Sequence, residues 1–186
     1  MFLVWTLFGF SYYGVVLILP EVLSETGTAS DFNYEAMFIS SLAEVVACTI
    51  AFVLIDRVGR TKLSGFAYIG CGVFLGLLAY PVLPTSFNVP LTMVARGFIF
   101  IASSTTWVMT PELFPTYVRG AAHSWCNAAG RIGAAATPYW GNEQSLDQWV
   151  RLSFYAGTAV LAGLTSLTLR ETRGAALPSG KASYNA

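Results

Sequence analysis

Six apolar segments follow one another along the chain, running roughly 1–23, 34–55, 63–83, 90–110, 118–140 and 149–169, with short polar gaps between them. Each holds about 20 residues, and a helix of that length crosses the ~30 Å hydrocarbon core of a bilayer at ~1.5 Å per residue. Lipid offers no partner to a free N–H or C=O, so a segment that spans it must satisfy its backbone internally or in a closed barrel. Barrel strands are short and alternate in polarity. These segments are long and continuous, which predicts helices. Composition agrees: 55% of residues are hydrophobic, 15% aromatic and 11% charged, whereas a soluble domain carries about a quarter charged residues.

The formal net charge is zero, so nothing points to a nucleic-acid partner. Cys48, Cys71 and Cys126 are scattered through apolar runs without a CxxC pair, and they are expected to be small buried hydrophobes. His123 is the only histidine, which argues against a His-rich metal site. No GxSxG, HExxH, Walker or Rossmann pattern occurs, so the expectation is no enzyme, no metal and no cofactor. The opening MFLVWTLFGF lacks the basic start and small-residue cleavage site of a signal peptide. It reads as the start of a membrane helix, and a fragment is expected.

Lys and Arg set the orientation. Arg57, Arg60 and Lys62 lie around the second gap, Arg119 in the fourth, and Arg170, Arg173 and Lys181 after the last segment. In a six-helix zigzag all of these fall on one side. The other side holds Glu25, Asp31, Glu143 and Asp147 with Arg151 as its one base. By the positive-inside rule both termini should face the cytoplasm. Pro81 and Pro84 are expected to end the third helix and Pro90 to open the fourth, where proline is tolerated. Pro111 and Pro115 should break the chain before the fifth.

The stretch IDRVGRTK (55–62) crowds charge into a short turn. Gly59 gives that turn dihedrals closed to other residues, with Asp56 ending one helix and Arg57, Arg60 and Lys62 leading into the next. It resembles the D-R-x-G-R-[RK] signature of the major facilitator superfamily, with Thr61 in place of the last basic residue. TPELFPTYVRG (110–120) is similar to that family's P-E-x-x-P-T-x-x-R-[GA] motif. LRETRGAAL (169–177) resembles its P-E-T-[KR]-G motif, with Arg170 where proline is usual. The three stand in the family's order. FSYYGVVLILPE, SLAEVVA and GRIGAAATPYW are similar to the synaptic-vesicle-two-related, nicotinate and organic-ion branch. The sugar porters share the loop motifs, but their Q-Q-x-x-G-x-N pattern is missing from the first segment.

The resemblance implies an all-α membrane protein: six transmembrane helices in two inverted three-helix repeats, forming the C-terminal half of the family fold (helices 7 to 12). Residues 1–175 would be this bundle and 176–186 a polar cytoplasmic tail. The implied function is transport of a small organic solute, such as the organic anion nicotinate, by alternating access, in a plasma or organelle membrane. The implied partners are the lipid bilayer, the solute, and a missing N-terminal half or a second copy. A non-transporting scaffold or receptor, or a sugar-porter-like carrier, is the alternative. The resemblance also implies a cytoplasmic gate network of Asp56, Arg57, Gly59, Arg60, Glu112, Arg119 and Glu171.

Charges near a bilayer midplane are costly and are functional candidates by default. Glu44, Arg96 and Arg131 are such charges. Arg131 is the candidate contact for a carboxylate-bearing substrate, with Asn127 one turn before it on the same face. Glu44 either neutralises an arginine or couples a proton. A cationic substrate held by Glu44 would reverse the roles. Trp5, Phe8 and Tyr12 recur at helical spacing, as aromatics in lipid contact or packing, or as a cavity face that Tyr13 joins. Gly72 with Gly76, and Gly130 with Ala134, read as close-packing pairs. Trp140 and Trp149 fit an interfacial belt.

Overall fold

Each apolar segment becomes one helix, because the helix closes its own backbone hydrogen bonds within the segment. In the computed structural model, residues 1–23, 34–80, 87–141 and 146–175 are described. They form α1 (Phe2–Leu23), α2 (Tyr34–Val58), α3 (Arg60–Leu78), α4 (Asn88–Leu113), α5 (Arg119–Gly141) and α6 (Gln148–Leu167). No strand occurs among them. Pro81, Pro84, Glu25, Asp31, Glu143, Lys181 and the tail 176–186 lie outside the described residues.

The helix boundaries differ from expectation where charge meets helix. α2 runs to Val58 and α3 starts at Arg60, so Gly59 alone separates them and Arg57 and Arg60 stand on helices. α4 continues through Pro111 to Leu113 and does not stop at 110. Proline there removes a single backbone hydrogen bond, one turn from an end whose carbonyls are already without helical partners. Pro90 lies in the first turn of α4, where its missing N–H costs nothing.

Five helices contain a stretch long and apolar enough to cross a membrane by themselves: α1, α2, α3, α4 and α6. α5 does not reach that mark. Arg119, His123, Asn127 and Arg131 recur every fourth residue along it, which places a polar stripe down one face. The stripe beside it is small: Cys126, Gly130, Gly133, Thr137 and Gly141 are buried. That stripe lets α1 approach α5 backbone to backbone. A Cβ added at Gly133 would collide with the Thr6 carbonyl, and one at Gly9 with the Gly130 carbonyl. Gly72 likewise packs against the Ala156 carbonyl of α6, whereas Gly76 has nothing within 4 Å. The expected Gly72–Gly76 pair is therefore half an interface, because Gly76 is turned off the α3–α6 contact.

The helices pack in two related triplets. α1 lies on α5 as α4 lies on α2, α6 lies on α1 as α3 lies on α4, and α3 meets α6 across the middle. This exchange of α1–α3 with α4–α6 is the signature of an inverted repeat, and the bundle has the architecture of one six-helix half of a major facilitator fold. Hydroxyls stitch the interior: Tyr68 Oη lies 3.0 Å from Thr106 Oγ1, and Ser166 donates to Ser64 Oγ at 3.1 Å. Without water to compete, such interhelical bonds add to the packing of small residues. Cys71 and Cys126 are buried, but Cys48 is exposed. It sits on α2, whose outer face carries Val45, Val46 and Phe52 to the surface.

Candidate functional site

The buried face of α1 builds one wall of a cavity. Trp5 is 1% exposed, and its indole N–H donates to Thr110 Oγ1 at 2.9 Å. Its ring meets Phe8, Trp107 and His123 edge-on, at centroid distances of 5.7, 4.9 and 5.5 Å. Trp5 thus faces inward and packs on its ring neighbours, not on lipid. The cavity encloses about 180 Å³ between α1, α4 and α5. Trp5, Phe8, Tyr12, Tyr13 and Trp107 line it with rings, and Ser103, Asn127 and Arg131 supply its polar groups. A larger groove of about 460 Å³ runs between α2, α3 and α4, but its lining is wholly apolar, from Ala43 to Ile101. It can shelter an acyl chain and offers nothing to orient a polar solute.

The intramembrane charges separate into two kinds. Arg96, 9% exposed, donates Nε and Nη2 to Glu44 Oε1 at 3.0 and 2.5 Å. Glu44 does not line the cavity. Arg131 has no carboxylate within ion-pair distance among the described residues. Its Nη1 donates to the Tyr13 phenol at 3.3 Å. So the cavity holds a guanidinium whose only side-chain hydrogen bond among the described residues is to a tyrosine hydroxyl.

At the opposite end of α2, the IDRVGRTK turn is the centre of a charge cluster. Gly59 sits at φ 104°, ψ 152°, a region open to glycine almost alone. A Cβ there would lie 2.6 Å from Glu171 Oε2. That carboxylate belongs to the segment after α6, and its Oε1 accepts the backbone N–H of Arg60 at 2.9 Å and those of Thr172 and Arg173 at 3.1 Å each. Burial works against its charge, but these backbone donors, helped by the dipole of the neighbouring Thr61 hydroxyl, outweigh it and hold the carboxyl below its usual range. Arg60 pairs with Asp56 through Nη1 at 2.9 Å and with Glu112 of α4 through Nε at 3.2 Å. Thr172 Oγ1 donates to Glu112 Oε2 at 2.5 Å, and Arg173 Nη1 donates to the Arg57 carbonyl at 2.5 Å.

Of the residues expected in this network, Asp56, Arg57, Gly59, Arg60, Glu112 and Glu171 come together. Among the described residues Arg119 does not join them by an ion pair, and its Nε and Nη2 are buried without a hydrogen-bond partner there. It opens α5 across from the cluster, so sequence motif and contact part company there. Thr172 and Arg173 were missed. Their signal lay in the same LRETRG stretch, but only the fold brings that segment back onto the α2–α3 turn.

An inverted-repeat six-helix bundle, charged at one end and holding an aromatic cavity between α1, α4 and α5, has the form of a membrane carrier half. The family model described as "Sugar (and other) transporter" matches residues 1–178, and the chain belongs to that transporter family, within the major facilitator superfamily. It is 31% identical to the putative transporter svop-1 of Caenorhabditis elegans, over 92% of this chain and 36% of that protein. It is 27% identical to the synaptic vesicle 2-related protein of Bos taurus, over 95% of this chain and 36% of that protein. It is 30% identical to the niacin transporter NiaP of Acinetobacter baylyi, over 74% of this chain and 31% of that protein. The chain thus spans about a third of the length of these curated relatives.

Proposed function

We propose that the chain forms the C-terminal half of a secondary transporter that moves a small, flat organic anion by alternating access. The observation that carries this is Arg131: a cation without a carboxylate partner among the described residues, in a cavity walled by Trp5, Phe8, Tyr12 and Trp107. A guanidinium binds a carboxylate by charge-assisted hydrogen bonds, and aromatic walls stack on a ring. A monocyclic aromatic carboxylate suits about 180 Å³, and nicotinate is the type example. Glu44 is neutralised by Arg96 in this reading and serves structure before substrate.

The IDRVGRTK end is the cytoplasmic end, and both termini face the cytoplasm. The cluster of Asp56, Arg60, Glu112 and Glu171 stabilises the closed cytoplasmic face and separates as it opens. α2 and α5 turn exposed side chains outward, among them Phe52, Val45, Trp125 and Ile132, and a second six-helix half covers part of these faces to close the substrate cavity.

The test is uptake of labelled nicotinate by the complete protein in proteoliposomes, with and without a proton gradient. Wild type accumulates label. Arg131→Ala weakens apparent affinity by about 2 kcal/mol, roughly 30-fold, the magnitude of a hydrogen bond to a charged group. Arg131→Lys keeps part of it, because charge remains and the planar fork is lost. Undiminished uptake by Arg131→Ala removes the anion site. A folded wild type that moves no aromatic carboxylate favours a scaffold or receptor.

A further inference from the structure

The charge cluster around Arg60 has a twin at the other end of the bundle. α1 closes with Leu19-Pro20-Glu21-Val22-Leu23 and α4 with Thr110-Pro111-Glu112-Leu113, so a Pro-Glu pair occupies the last turn of the first helix of each repeat. Glu112 of α4 pairs with Arg60, in the first turn of α3. Glu21 of α1 pairs with Arg151, in the first turn of α6. Exchanging the two triplets maps one ion pair onto the other. The correspondence extends to the second helix of each repeat. The Arg57 carbonyl, at the end of α2, accepts from the Arg173 guanidinium, and the Gly141 carbonyl, at the end of α5, accepts from Arg151 Nη1 at 2.6 Å. Shielding is comparable: the Arg151 and Glu21 side chains are 9% and 24% exposed, those of Arg60 and Glu112 16% and 22%.

The inverted repeat puts these groups on opposite faces. α1 leaves the face where IDRVGRTK lies and ends at the other, where α5 also ends and α6 begins. One guanidinium there ties the ends of three helices. In both α1 and α4 the proline before the glutamate removes a backbone hydrogen bond in the final turns, so the turn that carries the carboxylate is the least firmly held part of its helix. A shielded pair seated on such a turn is suited to two arrangements.

We propose that Glu21 and Arg151 form an outer clasp, the repeat-related counterpart of the Arg60 cluster, which stabilises the closed state of the face opposite IDRVGRTK. The proposal rests on the transport reading above and makes Glu21 and Arg151 positioning residues of the cycle, since neither lines the cavity. Two clasps of this kind oppose each other. Weakening one shifts the population toward opening on its own side, because a two-state equilibrium responds to whatever favours one state over the other.

The experiment reads sidedness directly. In the complete protein carrying Cys48→Ser, a cysteine placed at the cavity residue Ser103 is labelled in oriented proteoliposomes by an impermeant maleimide from either face. Glu21→Gln raises labelling from its own face relative to the IDRVGRTK face by about tenfold, a modest population shift. Arg60→Gln moves the ratio the other way. Arg151→Lys, which keeps the charge and loses the planar fork, raises the same ratio by less and remains informative where Glu21→Gln folds poorly, and the exchange Glu21→Arg with Arg151→Glu returns the ratio toward wild type. If Arg60→Gln moves the ratio and neither Glu21→Gln nor Arg151→Lys departs from wild type, the clasp is overturned and alternating access stands. If no variant and no added nicotinate moves the ratio, alternating access itself falls.

Discussion

Replacing Gly59 with alanine tests the joint between α2 and α3. The backbone there is at φ 104°, ψ 152°, and holding a side-chain residue in that region costs about 1–3 kcal/mol. The new Cβ would also stand 2.6 Å from Glu171 Oε2, within van der Waals contact, so the carboxylate must move off the Arg60 N–H. Losing one hydrogen bond to a charged acceptor costs about 1.5–3 kcal/mol. Water reaches Glu171 and replaces part of that bond, so the expected total is about 3–4 kcal/mol. The measurement is equilibrium unfolding of the complete protein in detergent, for Gly59→Ala in the wild-type and Glu171→Ala backgrounds. In the second background only the backbone strain remains, about 1–3 kcal/mol. Equal losses in both backgrounds would show that Glu171 does not press on the turn. No loss in either would refute the positive-φ joint, and with it the reason a one-residue break can carry the cluster.

Four further outcomes follow from the structure. Glu44→Gln leaves Arg96 buried without its anion and costs about 3–5 kcal/mol, whereas Glu44→Gln with Arg96→Met costs less than that single change; a thermal-melt double-mutant cycle checks the coupling. Gly133→Ala forces α1 off α5 at the Thr6 carbonyl and lowers the yield of folded protein on size-exclusion chromatography. Gly76→Ala, with open space around it, is neutral or stabilises α3 by about 0.5–1 kcal/mol. Glu171 titrates below its usual value when folded, and an unfolded glutamate has a pKa of about 4.3. The unfolded state therefore takes up its proton first as pH falls. The contribution of Glu171 is full above about pH 5 and is lost as pH drops through the folded value, so acid melting of Glu171→Gln is flatter than that of wild type over this window.

The sequence by itself determined the number of helices, their approximate extents and the solvent they face. The reason is that an unbroken apolar run of about 20 residues has one cheap conformation in lipid, and that cost is local. It also marked the positive-φ joint, because a glycine between two charged helix ends answers a local steric demand. The motifs made Asp56, Arg60, Glu112 and Glu171 legible as a set. What the sequence left open was every choice that depends on which helix faces which. Glu44 had two arginines to choose from, and packing of α2 on α4 gave it Arg96. Trp5 and Tyr12 suited lipid as well as a cavity until α5, with glycine on one stripe and polar groups on another, closed against α1. Glu21 lay unnoticed in an apolar segment, because its partner is 130 residues away and the repeat that relates it to Glu112 exists only in three dimensions. Pairing between distant charges is decided by helix packing, and the period of hydrophobicity carries no record of it.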